Sequence, residues 1–402
     1  MLSQLLVSCY AQPGSKVRRG NYFEGQYAQL DVGAEELLRC SKFFADLGGC
    51  DFASKLWGNI AIVANQTSVV YNTHLVDTLF AEGYPVVKIF CPEHGFRGTA
   101  EAGAKVDNSV DPKTGLPIVS LYGKNKKPTP EQLKDVDVVI FDLQDVGCRF
   151  YTYISTLHYV MEACAENKVP LIVLDRPNPN GHYVDGPVLD TSKYRSFVGM
   201  HPVPVVYGMT IGEYALMING EQWIKDTCDL TIVEMDNYHR DSIYKLPVPP
   251  SPNLRTAHAI ALYPSLCLFE GTNCGVGRGT DWPFEIVTYG TDTLDLRQEP
   301  APSAFSLKYL MEMYRHTQAI LPDRKGTALS TDEIKSNTAK KQSNNQAINT
   351  FFLKNNFFEK LAGNGDLRKQ IESGMSEEEI RATWQPALEE FKKIREKYLI
   401  YK

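Results

Sequence analysis

VDVVIFDLQDVGCRFYTYISTLHYVMEACAENKVPLIVLD, residues 136–175, sets two apolar, β-branched runs, Val136–Leu143 and Pro170–Leu174, on either side of an amphipathic stretch. The runs are continuous rather than alternating, as in parallel strands covered on both faces. Between them, TLHYVMEACAENK places Leu157, Val160, Met161 and Cys164 at helical spacing. Strand, helix, strand is the repeating unit of a doubly wound α/β sheet.

The same rhythm extends in both directions. Upstream lie the runs Ile60–Ala64, Val86–Cys91 and Ile118–Leu121, with the helical stretches HLVDTLFAEG and PEQLKDV between strands. Downstream, a helix at Thr210–Asn219 and a strand at Leu230–Met235 continue the unit. After Tyr244 the texture changes: LPVPPSPN is a proline-rich connector and a natural boundary. Beyond it the strand rhythm is lost. Phe305–Tyr314 and Gln385–Tyr401 read as helices, and KSNTAKKQSNNQ reads as a surface loop. The expected division is an N-terminal segment (1–23), a sheet domain (24–244) and a smaller C-terminal domain (245–402).

A length of 402 residues, 43% hydrophobic and 22% charged, describes an ordinary globular protein with room for a sizeable core. The net charge of −6 argues against nucleic acid as a partner, because no basic stripe exists to displace counterions from phosphates. No stretch approaches the roughly 18 apolar residues of a membrane span. The opening MLSQLLVSCYAQ contains Leu6-Val7-Ser8-Cys9, which resembles the lipobox of a bacterial lipoprotein. The expectation is export, periplasmic or anchored to the envelope through a lipid on Cys9; a cytoplasmic location is the alternative. Nine cysteines are scattered without the close pairs of a zinc site. Cys267 and Cys274 are close enough in sequence to be bridged. The sequence does not disclose an oligomeric state.

In an open parallel sheet, ligands bind beyond the carboxyl ends of the strands. The first strand runs into Asn65-Gln66-Thr67 and the second into Glu93-His94-Gly95-Phe96-Arg97. The fourth gives Asp142, Gln144, Asp145, Arg149 and Tyr151, and the fifth Asp175-Arg176-Pro177-Asn178. Carboxylates, amides and arginines on one rim suit a polyhydroxylated, partly anionic ligand. Each acid has a structural alternative, since an acid after a strand often caps the next helix. Glu93 lies in a turn that leads to no obvious helix, which favours a role as general acid or base. His94 is either a hydrogen-bonded turn residue or a ligand contact. The eight histidines lack any metal-binding pattern, so no metal is expected. Cys91 ends a strand, which disfavours a thiol nucleophile, and no G-x-S-x-G elbow is present.

A glycine-rich stretch, FEGTNCGVGRGTDWPFE (269–285), invites a phosphate-binding reading. A dinucleotide fingerprint, however, opens a helix early in a βαβ unit, whereas this stretch comes late and runs into Trp282-Pro283-Phe284. The glycines instead permit tight turns and a close approach to a ligand. Arg278 then either clamps a carboxylate with its planar fork or pairs with a neighbouring acid.

Taken in order, ANQTS, CPEHGFRGTAEAG, TGLPIVSLYG, FDLQDVGCRFYTYISTL, LDRPNPNG and YPSLCLFEGTNCGVGRGT followed by PFE resemble the NamZ-type exo-β-N-acetylmuramidases. The resemblance runs from about Asp31 to the C-terminal QPALEEFKKIREKYLIY. It implies a Rossmann-like domain with an auxiliary α+β C-terminal domain and an active site in the cleft between them. It also implies a glycoside hydrolase that removes N-acetylmuramic acid from the non-reducing end of peptidoglycan fragments such as MurNAc-GlcNAc, without a cofactor. Glu93 matches the glutamate proposed as catalytic in that family. Asp142 or Asp145 would be the second carboxylate, or an aspartate would orient the sugar's 2-acetamido group as internal nucleophile. Asn65, Gln66, His94, Gln144 and Tyr151 then join Asp175, Asn178 and Glu270 as sugar contacts. Arg97, Arg149, Arg176 or Arg278 would take the lactyl carboxylate. Two other functions compete: a non-catalytic muropeptide-binding protein, and a nucleotide-dependent transferase. Against the transferase stands Ala64-Asn65-Gln66, where a phosphate-binding glycine turn would follow the first strand.

Overall fold

The computed structural model describes residues 30–45, 54–93, 95–97, 108–242, 244–324 and 350–402. His94, the Cys9 segment and the polar stretch 335–346 lie outside the described residues.

Strands β1 (Ile60–Ala64), β4 (Val86–Cys91), β5 (Ser109–Val110), β6 (Pro117–Ser120), β7 (Val138–Asp142), β8 (Leu171–Leu174) and β9 (Leu230–Val233) form a 7-stranded sheet. Two short strands, β2 (Val69–Val70) and β3 (Thr73–His74), make a separate antiparallel ribbon. The order across the large sheet is β5-β6-β4-β1-β7-β8-β9. All pairings are parallel except β5 with β6 at the edge. Without that edge strand, the strands taken in chain order lie 3-2-1-4-5-6, the Rossmann arrangement. β1 and β7 are therefore neighbours across the point where the winding reverses, in register from Ile60↔Val138 to Ala64↔Asp142.

Every residue of β1, β7, β8 and β9 is buried, which explains why the runs read as continuous rather than alternating. Helices Leu75–Ala81, Pro130–Leu133, Tyr153–Asn167 and Ile211–Gly220 stand in the expected places. A further helix, Gly33–Ala45, packs Ala34, Leu37 and Leu38 into the core beside β1 residues. Its first residue must be glycine, because a Cβ there would meet the backbone at Asp175 and Val233.

The chain forms two compact units: one holds residues through His182, Tyr207–Pro252 and Lys392–Lys402, the other Tyr183–Val206 and Asn253–Phe391. The units are thus not separated at a single point. Tyr183–Val206 belongs to the second because Asp185 bridges Val206, Asp190 N–H bonds Gly363 O at 2.8 Å and Arg381 pairs with Asp185. That second unit contains helix Ala257–Leu266, a 3-10 turn at Cys267–Gly271, the hairpin β10 (Ile286–Tyr289) with β11 (Asp292–Asp295), and helices Lys308–Arg324, Phe357–Ala362 and Asp366–Glu372. The last helix, Glu377–Glu396, runs from the second unit's final segment into Lys392–Lys402. Cys267 and Cys274 are not joined; the Cys267 thiol lies 3.4 Å from Glu270 Oε2.

Candidate active site

The rim beyond β1 and β7 is built on side chains that first hold the loops. Asn65, fully buried, accepts from Thr67 N at 2.9 Å and Thr67 Oγ1 at 2.6 Å, and donates to the Tyr153 hydroxyl at 2.6 Å. This closes the turn after β1. Gln66 Nε2 reaches Pro250 O at 3.1 Å and the Tyr151 hydroxyl reaches the same carbonyl at 2.7 Å, tying the proline-rich connector to the rim. Gln144 Nε2 donates to Asp145 O at 2.8 Å and Pro177 O at 2.7 Å, so it holds the two loops together.

The three aspartates that look alike in sequence have different fates. Asp142 is buried against Arg176, whose Nε and Nη2 meet its two oxygens at 2.5 and 2.9 Å. Asp175, also buried, accepts from Arg176 N, Gly212 N, Thr210 Oγ1 and Tyr401 OH. Both carboxylates are thus engaged by protein donors at both oxygens. Asp145 differs. Its Oδ2 accepts from Gly147 N at 2.7 Å and from the Tyr207 hydroxyl, while its buried Oδ1 has no hydrogen-bond partner. Burial pushes its pKa up to about 6, against the opposing effect of the Tyr207 and Gly147 bonds. Gly147 is required here: its φ is +72°, and a Cβ would run into Asn178. Asn178 itself is occupied, donating to Met209 O and accepting from Asn180 N, both at 2.8 Å.

Glu93 sits in the turn after β4, half-buried, and its Oε2 accepts from Thr152 Oγ1 at 3.1 Å. Tyr122, just past β6, is hydrogen-bonded to the same carboxylate; burial first and then the Glu93 charge push its phenol up to about 12. The Glu93 and Asp145 charges both act on the buried phenols of Tyr151 and Tyr153. A carboxylate ringed by hydroxyl groups is equipped to exchange a proton with a bound oxygen.

The four arginines proposed for an anion separate by burial. Arg149 is fully buried, and burial lowers its pKa to about 10. Arg176 is committed to Asp142. Arg97 is exposed but bridges Asp77 and Asp111 at 3.2 and 3.0 Å. In the second unit, Arg278 lies over the Phe284 ring at 5.1 Å and pairs with Glu270 at 2.7 Å. Its side chain is 35% exposed. The acid beside Arg278 is thus Glu270, itself expected as a sugar contact.

Tyr122, Thr152, Tyr153 and Tyr207 were not among the sequence candidates. Tyr122 follows a strand end directly, so the rule that found Glu93 also reaches it. Tyr207 carries no such local signal. Asp31, Glu36 and Asp236 cluster as a metal site would, but Arg39 forms ion pairs with all three and supplies the cation. No helix among the described residues is long and apolar enough to cross a membrane.

Comparison with known proteins gives a consistent result. Residues 60–258 match the family described as exo-β-N-acetylmuramidase NamZ, N-terminal, and residues 261–401 match its C-terminal counterpart. A curated relative, peptidoglycan β-N-acetylmuramidase NamZ of Bacillus subtilis, is 42% identical over 380 residues, covering 87% of this chain and 89% of its own. Two crystal structures of DUF1343 family proteins from Bacteroides fragilis are similar, at 37% identity with TM-score 0.73 and 28% identity with TM-score 0.74. Each covers 93% of this chain and 99% of its own.

Proposed function

The chain belongs to the NamZ family of glycoside hydrolases, and from that premise we propose that it releases N-acetylmuramic acid from the non-reducing end of peptidoglycan fragments such as MurNAc-GlcNAc. The observation that carries this reading is that the family matches span both halves of the chain, 60–258 and 261–401.

Glu93 is the general acid. It gives its proton to the glycosidic oxygen as the bond from that oxygen to C1 of the sugar breaks, and the GlcNAc leaves with a hydroxyl group. Thr152 and Tyr122 orient the carboxylate at the carboxyl-end rim. Asp145 is the second carboxylate. Its unpartnered oxygen accepts from the N–H of the 2-acetamido group, so that the acetamido oxygen closes on C1; water then opens the ring intermediate, returning a proton to Glu93. Asp142 is the less suited of the two, because Arg176 pairs with both its oxygens.

Proton NMR of MurNAc-GlcNAc with native protein and Glu93→Gln tests the reading. The native chain releases MurNAc with the β anomer first. The folded variant is slower by about two to four orders of magnitude. Binding of the disaccharide without turnover would make the protein a receptor, and an α anomer released first would remove the acetamido from the mechanism.

A further inference from the structure

The strip Tyr207–Thr210 is held at every residue. The Tyr207 hydroxyl donates to Asp145, and Met209 O accepts from Asn178. Thr210 Oγ1 donates to Asp175 while capping the helix that follows. Gly208, at φ +62°, has its carbonyl gripped by two guanidinium groups. Arg240 Nη1 reaches it at 2.8 Å, and Arg395 reaches it through Nε at 3.0 Å and Nη2 at 2.6 Å. Arg240 has a carboxylate of its own, Glu213, at 2.6 Å. Arg395 instead directs two N–H groups at one neutral carbonyl beside another cation. Burial and the Arg240 charge lower its pKa to about 10, so this placement works against its charge. A half-buried guanidinium held beside another cation, 187 residues from its partner in sequence, is there for what it fixes.

We propose that Arg395 is a positioning residue for the glycosidase reaction, locking the Gly208 carbonyl so that the adjacent Tyr207 hydroxyl stays on Asp145. The inference rests on Asp145 being the second carboxylate. Tyr207 is the sole side-chain donor to Asp145 among the hydrogen bonds described, and the glycine beside it, at φ +62°, is fixed by Arg395 together with Arg240. Tyr207 and Gly147 N occupy one Asp145 oxygen and leave the other for substrate, and Arg395 steadies the residue next to Tyr207.

The groups facing Asp145 are Tyr207 from the strip, Tyr214 from helix Ile211–Gly220, Tyr151 and Tyr153 at the start of helix Tyr153–Asn167, and Cys148 from its own loop. Burial holds all of these phenols and the thiol above their ordinary values, so they stay neutral around pH 6. The Tyr207 bond favours the ionised form of Asp145, and losing it moves the acidic limb of the pH–rate profile upward.

The experiment is the pH dependence of kcat/KM on MurNAc-GlcNAc for native protein, Tyr207→Phe, Arg395→Met, Arg395→Lys and Arg381→Met. Arg381 donates to a backbone carbonyl in the second unit, Phe305 O at 2.6 Å, and controls for general loosening. Tyr207→Phe and Arg395→Met should shift the acidic limb upward together, by about half to one pH unit. Arg395→Lys should recover part of the shift, and Arg381→Met should leave the limb in place. If Tyr207→Phe shifts the limb and Arg395→Met does not, the positioning role is wrong. If Tyr207→Phe itself leaves the limb unmoved, the Asp145 assignment fails and this inference with it. Should Arg395→Met not fold, Arg395→Lys gives the same reading at smaller amplitude.

Discussion

Asp175 marks the limit of what a sequence discloses about one side chain. An acid directly after a strand is compatible with catalysis, ligand binding or capping, and Asp142, Asp145 and Asp175 share that context. Their roles are decided by partners the local sequence cannot show: Arg176 for the first, Tyr207 for the second, and Tyr401, 226 residues away, for the third. Burial raises the Asp175 carboxyl to about 7, with the Glu213 charge adding to it, from 3.8 in the unfolded chain. A carboxyl with a raised folded pKa holds its proton more tightly when folded. Its contribution to stability is therefore fully present below about pH 4 and is lost as the pH rises through 7. Asp175→Asn preserves the shape, and its amide can donate to the Thr210 and Tyr401 hydroxyls. Urea unfolding at pH 5 and pH 7.5 should show the native chain losing on the order of 3 kcal/mol more stability than the variant over that interval. An equal slope in both proteins would refute the assignment.

At the scale of elements, legibility followed the burial pattern. β1 and β7 are covered on both faces, so their apolar runs stood out. Helix Tyr153–Asn167 could be placed from four apolar positions at helical spacing. Helix Ala257–Leu266 has no sequence signature of its own, because AHAIALYPSL is buried nearly all round and carries Pro264 inside it, leaving no polar stripe for a period to show. The hairpin β10–β11 is legible only at its turn, Gly290 with φ +62°; the alternating burial along Ile286–Tyr289 has no counterpart in an apolar–polar alternation of IVTY. Helix Ile211–Gly220 was readable from its start, where Thr210 and Glu213 form a reciprocal capping box. The Thr210 hydroxyl serves twice, accepting from Glu213 N at 3.2 Å and donating to Asp175 at 2.7 Å. Thr210→Val keeps the β-branched shape and removes both bonds. It should cost about 2 kcal/mol of unfolding free energy, measured by chemical denaturation. A loss below about 0.5 kcal/mol would mean that the cap is redundant.

For the whole chain, topology alone supplied the expectation of a ligand beyond the carboxyl ends of the strands, a rim that here lies near the β1–β7 reversal. What the sequence could not announce is that its last residues return to the sheet unit. Ile400 N and Tyr401 N bond Glu213 at 2.8 and 3.2 Å. The Tyr401 hydroxyl accepts from Met235 N at 2.9 Å and donates to Asp175 at 2.8 Å, while Tyr398 OH reaches Glu221 at 2.7 Å. Read as periodicity, KYLIYK is an unremarkable helix end; in the fold it saturates two buried carboxylates, Asp175 and Glu213. Deleting residues 397–402 leaves both acids without donors they have in the intact chain, and hydrogen bonds to charged groups contribute about 1.5–3 kcal/mol each. The truncated chain should therefore melt at least roughly 10 °C lower by differential scanning calorimetry, a loss of several kcal/mol concentrated in the sheet unit. Since the same segment adjoins Arg395, the residual folded fraction should also show an acidic limb shifted in the direction of Arg395→Met. A truncated protein with native melting and a native pH profile would show that the C-terminal strap is ornamental to both stability and catalysis, and would leave the burial of Asp175 and Glu213 to be explained by Arg176, Thr210, Gly212 and Arg240.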